Sequence, residues 1–392
     1  MKYTINTVDS LEVQNTIKIL LYQQDRTIYD MINFEDENIY KEPLLFTYLN
    51  NKEKIASELH NILFGYIDIS IRPKQLEVKT DKYGRYYFPN LGWIHTDQPD
   101  TIIYLQYENK KLELNKEKNN FYYDFEPIEF IKDTQIELLK YSIPLLESLY
   151  YNTEQNKVAV EIKNITRIHK HHITSALALI KEHIPHQFQL IEENCPKMVI
   201  FDVNTYLRNS FATLSAQGIG FFNAYQEDYN EVFFVDDIAH QSGHVIFNIV
   251  IYEAEKFIAI DPKTTLQSFQ LYNNTTENRD VHTLFHALYT YYTSFLCLNA
   301  CIKANVWHEH KLHEAMGRIS FYLNKCNQDL IIVENANKTK TLFTEEGMKI
   351  YCVIKDKFRE MVEKYENKCK NYNMSNQPYN FTYSKFIELN PL

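Results

Sequence analysis

Of the 14 histidines in this 392-residue chain, two pairs have spacing that suits chemistry. His240 and His244 in DDIAHQSGH lie four residues apart, and His282 and His286 in DVHTLFHALY repeat the interval. On a helix this spacing puts both imidazoles on one face, the geometry of the two-histidine metal clamp in H-E-x-x-H. An isolated H-x-x-x-H arises by chance in so histidine-rich a chain, and a histidine inside an apolar helix is more often a hydrogen-bonded core residue. Burying an imidazole without a partner costs free energy, however, so the second pair, inside an uncharged run, calls for a reason. Two further clusters, His169, His171 and His172 in RIHKHH and His308, His310 and His313 in WHEHKLHE, sit among charged residues and read as solvated faces.

The second position of the clamp is Gln241, where a zinc protease carries the glutamate that deprotonates metal-bound water. An amide cannot take that proton at neutral pH. A metal held here therefore points away from hydrolysis and toward an oxidant drawn from O₂ and a co-substrate. Asp236, Asp237 and Glu277 are alternative oxygen ligands, and the acidic pair before His240 would serve equally to orient an imidazole.

The elements that must position these groups change character along the chain. Residues 1–70 read as mixed helix, with a helix over Lys52–Leu63 and a strand over Tyr66–Ile71. From about Gly84 to Phe125 the alternation turns to β. Gln135–Tyr151 and Ile173–Glu192 are expected as amphipathic helices, the second kinked at Pro185. Lys197–Val203 and Gly220–Tyr225 read as strands, and Asp280–Ala304 is the strongest helix. Two more helices follow near His308–Cys326 and Thr344–Tyr365, the last opened by Thr344 with two glutamates behind it. The class is α+β, with a β-containing N-terminal region over 1–165, a mainly helical metal-site domain over 166–370, and an extended tail over 371–392.

Composition removes other functions. The chain has 8 glycines, and no glycine-rich phosphate loop can be assembled from them. Its formal charge of −10 argues against a nucleic-acid surface. Six cysteines form no C-x-x-C pair and indicate a reducing, cytoplasmic setting. MKYTINTVDSLEVQ has no apolar core of a signal peptide. Val281–Ile302 lacks any Asp, Glu, Lys or Arg but carries too many His, Asn, Thr and Tyr for a membrane span, so it is expected as a buried core helix.

Taken in order, IAHQSGH, then Arg279 in ENRDVHTLFH, then His286 seven residues later in LFHALYTYY resemble the 2-oxoglutarate-dependent HExxH-type peptide β-hydroxylases, tailoring enzymes of ribosomally made peptides. SAQGIGFFNAY is similar to the segment preceding that family's metal motif, and LFTEEGMKIY to its T-x-x-G helix start. The resemblance spans roughly 170–365. It implies that His240, His244 and His286 hold Fe(II), that Arg279 binds the far carboxylate of 2-oxoglutarate, and that Gln241 assists at the catalytic centre. His282 is the alternate ligand. The implied partner is a precursor peptide hydroxylated at a side-chain β-carbon. Three departures stand out: Gln241 for Glu, Asp280 for the Pro after the arginine, and Gly243 between the histidines, which weakens a helix by ~1 kcal/mol. Arg279 and His286 would share a helix face roughly 10 Å apart along its axis, and an arginine fork suits a carboxylate there. The residues at 240–244 must be helical for this reading to hold.

Two other readings compete. Read as β, GHVIFNIVIYEAEKFIAIDPKT resembles the His-strand-turn-strand-Asp part of transglutaminase-like acyl transferases, pairing His244 with Asp261 and requiring Cys195 as nucleophile. Cys195 precedes a strand, so no helix N-terminus lowers its pKa. Alternatively, the fold is a catalytically degenerate one that binds a peptide through its many tyrosines, although β-propensity alone would enrich tyrosine in sheets. For a peptide-modifying enzyme, an extended substrate is expected to add along an open sheet edge near Thr101–Tyr107.

Overall fold

The computed structural model describes the chain except residues 1–9, 53–55, 109–110, 116–117, 119–120, 153, 227 and 271–275, together with the side chains of 56, 57, 269, 270, 276 and 277. The expectation for the first residues, and the Glu277 side chain, lie outside the described residues. Four short helices open the fold: α1 (Leu11–Gln24), α2 (Arg26–Tyr29), α3 (Pro43–Asn50) and α4 (Ala56–Leu63). Six strands follow: β1 (Gln75–Lys79), β2 (Arg85–Phe88), β3 (Gly92–Thr96), β4 (Ile102–Glu108), β5 (Lys111–Leu114) and β6 (Tyr123–Pro127). They form two antiparallel sheets, ordered β1-β4-β5 and β2-β3-β6. Alternation sets the buried face: in β4, Ile103, Leu105 and Tyr107 turn inward while the residues between them turn out. The strand expected to offer an open edge, Thr101–Tyr107, is β4, paired on both sides, so the free edges are β1 and β5 instead.

A third sheet joins the N-terminal and helical regions. Strand β7 (Glu137–Leu139) pairs in parallel with β8 (Lys197–Phe201), which pairs in parallel with β9 (Ile219–Asn223). Every residue of β8 and β9 is buried, as expected of parallel strands covered on both faces. Alternate side chains serve two cores: Met198 and Ile200 pack into the helical one, Val199 and Phe201 into the N-terminal one. The boundary expected near 165 is thus bridged by β7. It is pinned by buried Lys197, whose Nζ lies 2.7 Å from Glu137 and 3.4 Å from Glu42.

Helices α5 (Lys163–His183) and α6 (Pro185–Asn194) lie between β7 and β8. Pro185 divides them rather than kinking one helix, because it supplies no N–H and disfavours helical geometry at Ile184. After β9 come α7 (Glu231–Val250), the hairpin β10 (Thr265–Gln270) and β11 (Thr276–Asp280), then α8 (Val281–Lys303), α9 (Glu309–Asn337) and α10 (Glu345–Cys369). The class is α+β with a helical C-terminal region, and α8 runs through its core, packed on α5, α7, α9 and α10. Among the described residues no helix is long and apolar enough to cross a membrane.

Several local expectations are corrected. Residues 66–71 hold one bridge, Ile67 to Ile32, and no strand. Gln135–Tyr151 is β7 followed by a 3₁₀ turn at Pro144–Leu149, since Pro144 breaks the helical pattern. The tail is not wholly extended: α11 (Tyr383–Leu389) buries Phe386 against the main core. His169 and His313, expected on solvated faces, are buried, at 0% and 8% exposure.

Candidate active site

Helices α7 and α8 carry the two histidine pairs, and local sequence sets where each begins. Asn230 caps α7 by accepting from the amide of Val232, and Asp280 caps α8 by accepting from Thr283 at 2.7 Å. The aspartate that departs from the family pattern is therefore a helix cap. Residues 240–244 are helical, as the oxygenase reading requires and the strand reading forbids.

Gly243 is explained by the crossing of these helices. A Cβ there would lie 2.6 Å from the Thr293 hydroxyl and 3.4 Å from the Thr290 backbone. That hydroxyl donates to the Ala239 carbonyl at 2.8 Å, locking α8 onto α7. Close approach outweighs helix propensity, so Gly243→Ala is expected to destabilise the protein by about 1–3 kcal/mol through overpacking, despite the ~1 kcal/mol that alanine adds to an isolated helix. Urea unfolding checks this; a variant as stable as the parent would refute the close-approach argument.

The crossing opens onto a cavity of about 300 Å³ lined by His240, Gln241, His244, Arg279, His282 and His286. Tertiary structure thus brings His240, Gln241, His244, Arg279, His282 and His286 to one cavity. The His240 and His244 rings are 5.2 Å apart, His244 and His286 5.8 Å, and His282 and His286 4.5 Å. Arg279 reaches the cavity from β11 rather than from α8, with its guanidinium 3.8 Å from Asp329.

Burial pushes His244 down to about 4 and holds His240 and His286 well below the usual imidazole range; His240 and His286 are each lowered further by neighbouring His244. The rings are therefore neutral at pH 7, the form that ligates metals. Nδ1 of His240 and Nε2 of His286 are buried and, among the described residues, lack hydrogen-bond partners. Such orphaned nitrogens on neutral rings fit a borderline metal such as Fe(II) in donor type. Among the described residues no three His, Cys, Asp or Glu side chains already stand in ligand geometry, so an ion would have to draw the rings inward.

Behind the histidines lies a charged network that spacing alone does not reveal. Arg318 of α9 donates to Asp236 at 2.8 Å and to Glu314 at 2.7 Å, and the Tyr322 hydroxyl donates to the same Asp236 oxygen at 3.2 Å. Arg318 and Asp236 are 3% and 2% exposed. The available signal was Arg318 with Glu314 at i, i+4 inside the otherwise apolar EAMGRISFYL. Asp236 is thus committed to Arg318, not to orienting an imidazole. Asp237 accepts from the Gln241 amide at 3.2 Å, and burial raises its carboxyl to about 7, countered by hydrogen bonds from Ser210 and Gln241.

The acyl-transfer constellation does not assemble. His244 is helical, Asp261 lies in an exposed turn, and neither Asp261 nor Cys195 lines the cavity. Cys195 is fully buried at the end of α6, and burial pushes its thiol up to about 12, where it is no nucleophile. No family model and no curated protein matches this chain.

Proposed function

We propose that the cavity between α7 and α8 is an iron(II)- and 2-oxoglutarate-dependent oxygenase centre that hydroxylates a side-chain β-carbon of a ribosomally made peptide. The observation that carries this reading is the pair of orphaned nitrogens, His240 Nδ1 and His286 Nε2, on neutral rings in a cavity that also holds His244 and Arg279. His240, His244 and His286 would hold the metal, leaving positions for co-substrate and O₂. Fe(II) and 2-oxoglutarate, once bound, supply the oxidising power: O₂ gives one atom to the substrate carbon and one to succinate, with release of CO₂.

The chain's own residues bind and orient. Arg279, steadied by Asp329, presents a planar fork suited to the far carboxylate of 2-oxoglutarate. Gln241 holds Asp237 through its amide and, unable to accept a proton, does not generate hydroxide from water. Phe233, Tyr322 and Phe381 are among the aromatic side chains that line the same cavity.

Anaerobic loading of the purified chain with Fe(II) and 2-oxoglutarate is expected to give a visible charge-transfer band, and admission of O₂ to consume 2-oxoglutarate. Co-expression with small peptides encoded nearby should yield a one-oxygen mass gain. Absence of both the band and the consumption ends the oxygenase reading. A peptide-binding fold that has lost its metal is favoured by the lack of preformed ligand geometry among the described residues; it predicts peptide retention with no iron at all.

A further inference from the structure

The α7 wall of the cavity carries hydrogen-bond acceptors with nothing to accept from. Gln241 is 5% exposed, and only its amide nitrogen can bond the Asp237 carboxylate, so its Oε1 must face elsewhere. Among the described residues that Oε1 has no donor, and Asp237, held by Ser210 and Gln241, keeps its Oδ2 without one. Asp236 Oδ1 is likewise unsatisfied, although its other oxygen holds Arg318 and Tyr322. Each buried, unpaired acceptor costs about 1–3 kcal/mol, and three within two turns of one helix are more than a closed core retains.

Charge at this end is also unbalanced. Arg318 is shared between Asp236 and Glu314, and no described cation forms an ion pair with Asp237. The other cations on the cavity wall are engaged: Arg279 with Asp329, and Lys325 with the Tyr379 carbonyl at 2.6 Å. Aromatic rings line the cavity beside the acceptors. Tyr229 stacks on Phe233 at 3.9 Å, and Tyr225 meets Tyr229 edge-on at 5.6 Å. Electron-rich ring faces beside unpaired oxygens are the chemistry that receives an organic cation.

We propose that this end of the cavity is a subsite for a monocationic side chain, ammonium or guanidinium, received by Gln241 Oε1 and Asp237 Oδ2 against the Tyr225–Tyr229 wall. As a statement about the substrate it rests on the oxygenase reading: the cation is the far end of the residue acted on, and its carbon chain runs toward His240, the neighbour of Gln241 on α7. A neutral aliphatic or anionic side chain would leave the acceptors unpaired or repelled.

Calorimetric titration of the metal-free full chain with n-butylammonium, n-butylguanidinium, n-butanol and n-butyrate tests the subsite. At least one cation is expected to bind about 10-fold or more tightly than the alcohol, with butyrate weakest. Asp237→Asn, which keeps an acceptor for the Gln241 amide, should erase the preference for charge. Gln241→Met should weaken cation binding several-fold and stands in should the first variant fail to fold by circular dichroism. Butanol or butyrate binding as well as the cations, no binding of any probe, or undiminished selectivity in the folded variants overturns the proposal. Neither iron nor 2-oxoglutarate is present, so the outcomes separate: cation selectivity without turnover removes only the oxygenase, and turnover without selectivity removes only the subsite.

Discussion

His286→Ala is expected to remove at least about 100-fold of the affinity for Fe(II), and with it 2-oxoglutarate turnover, while leaving the metal-free fold intact. Loss of a group that merely supports a ligand already costs 10–100-fold, so loss of a ligand sets a floor above that range. The apo protein should tolerate the change because Nε2 of His286 makes no hydrogen bond that the variant would break. The cleanest readout is the rise in Tm on adding Fe(II): a ligand at 100 times its Kd stabilises by roughly 2.7 kcal/mol, and this increment should fall to ~0.4 kcal/mol or less. His282→Ala is the discriminating partner, because that ring lies 4.5 Å from His286 on the same cavity wall. Should His282→Ala abolish the increment and His286→Ala preserve it, the ligand assignment moves one turn along α8. Should both variants keep it, the metal is held elsewhere.

Arg318→Met should be strongly destabilising, by about 3–5 kcal/mol. It leaves Asp236 and Glu314, both buried, without the cation that balances them. Equilibrium unfolding in urea measures the loss, and fluorescence and circular dichroism should report it together if the helical region melts as one unit. The contrast is Arg359→Met, which breaks a pair with Asp356 whose side chains are more than half exposed; it should cost no more than ~1 kcal/mol. Equal losses from the two would mean that Asp236 and Glu314 are relieved by protonation, and that the network contributes little to stability. Replacing Arg318, Asp236 and Glu314 together by apolar residues should recover most of the loss, since it is the unpaired charge rather than the missing bridge that destabilises.

Local structure was legible wherever one chemical signal dominated. Thr344 starts a helix because its side-chain oxygen accepts an orphaned backbone N–H, and that start was readable as it stands; Asp280 does the same for α8, though in sequence it stood out only as a departure from the family pattern. The uncharged run from Val281 becomes the core helix because it carries no Asp, Glu, Lys or Arg to resist burial. Within the β segment between Gly84 and Phe125, β4 and β5 follow from alternation. Reading failed where short segments depend on distant partners: Glu137–Leu139 looks helical in isolation and is a strand because β8 lies ready to pair with it. His169 looks solvated beside Arg167 and Lys170, yet its face of α5 turns against Phe234.

Taken alone, the order of residues determined which side chains were worth watching: His240 and His244 at one helical interval, His282 and His286 at the same, with Arg279 just ahead. Periodicity and side-chain chemistry are local properties and survive without coordinates. Only the tertiary structure decided that both pairs face one cavity, because that depends on the angle and closeness at which α7 crosses α8. A missing Cβ at Gly243 and the Thr293 hydroxyl set that closeness. It also decided what lies behind the histidines: Arg318 joins residues 82 positions apart, and no pattern within a single helix encodes a contact made by folding.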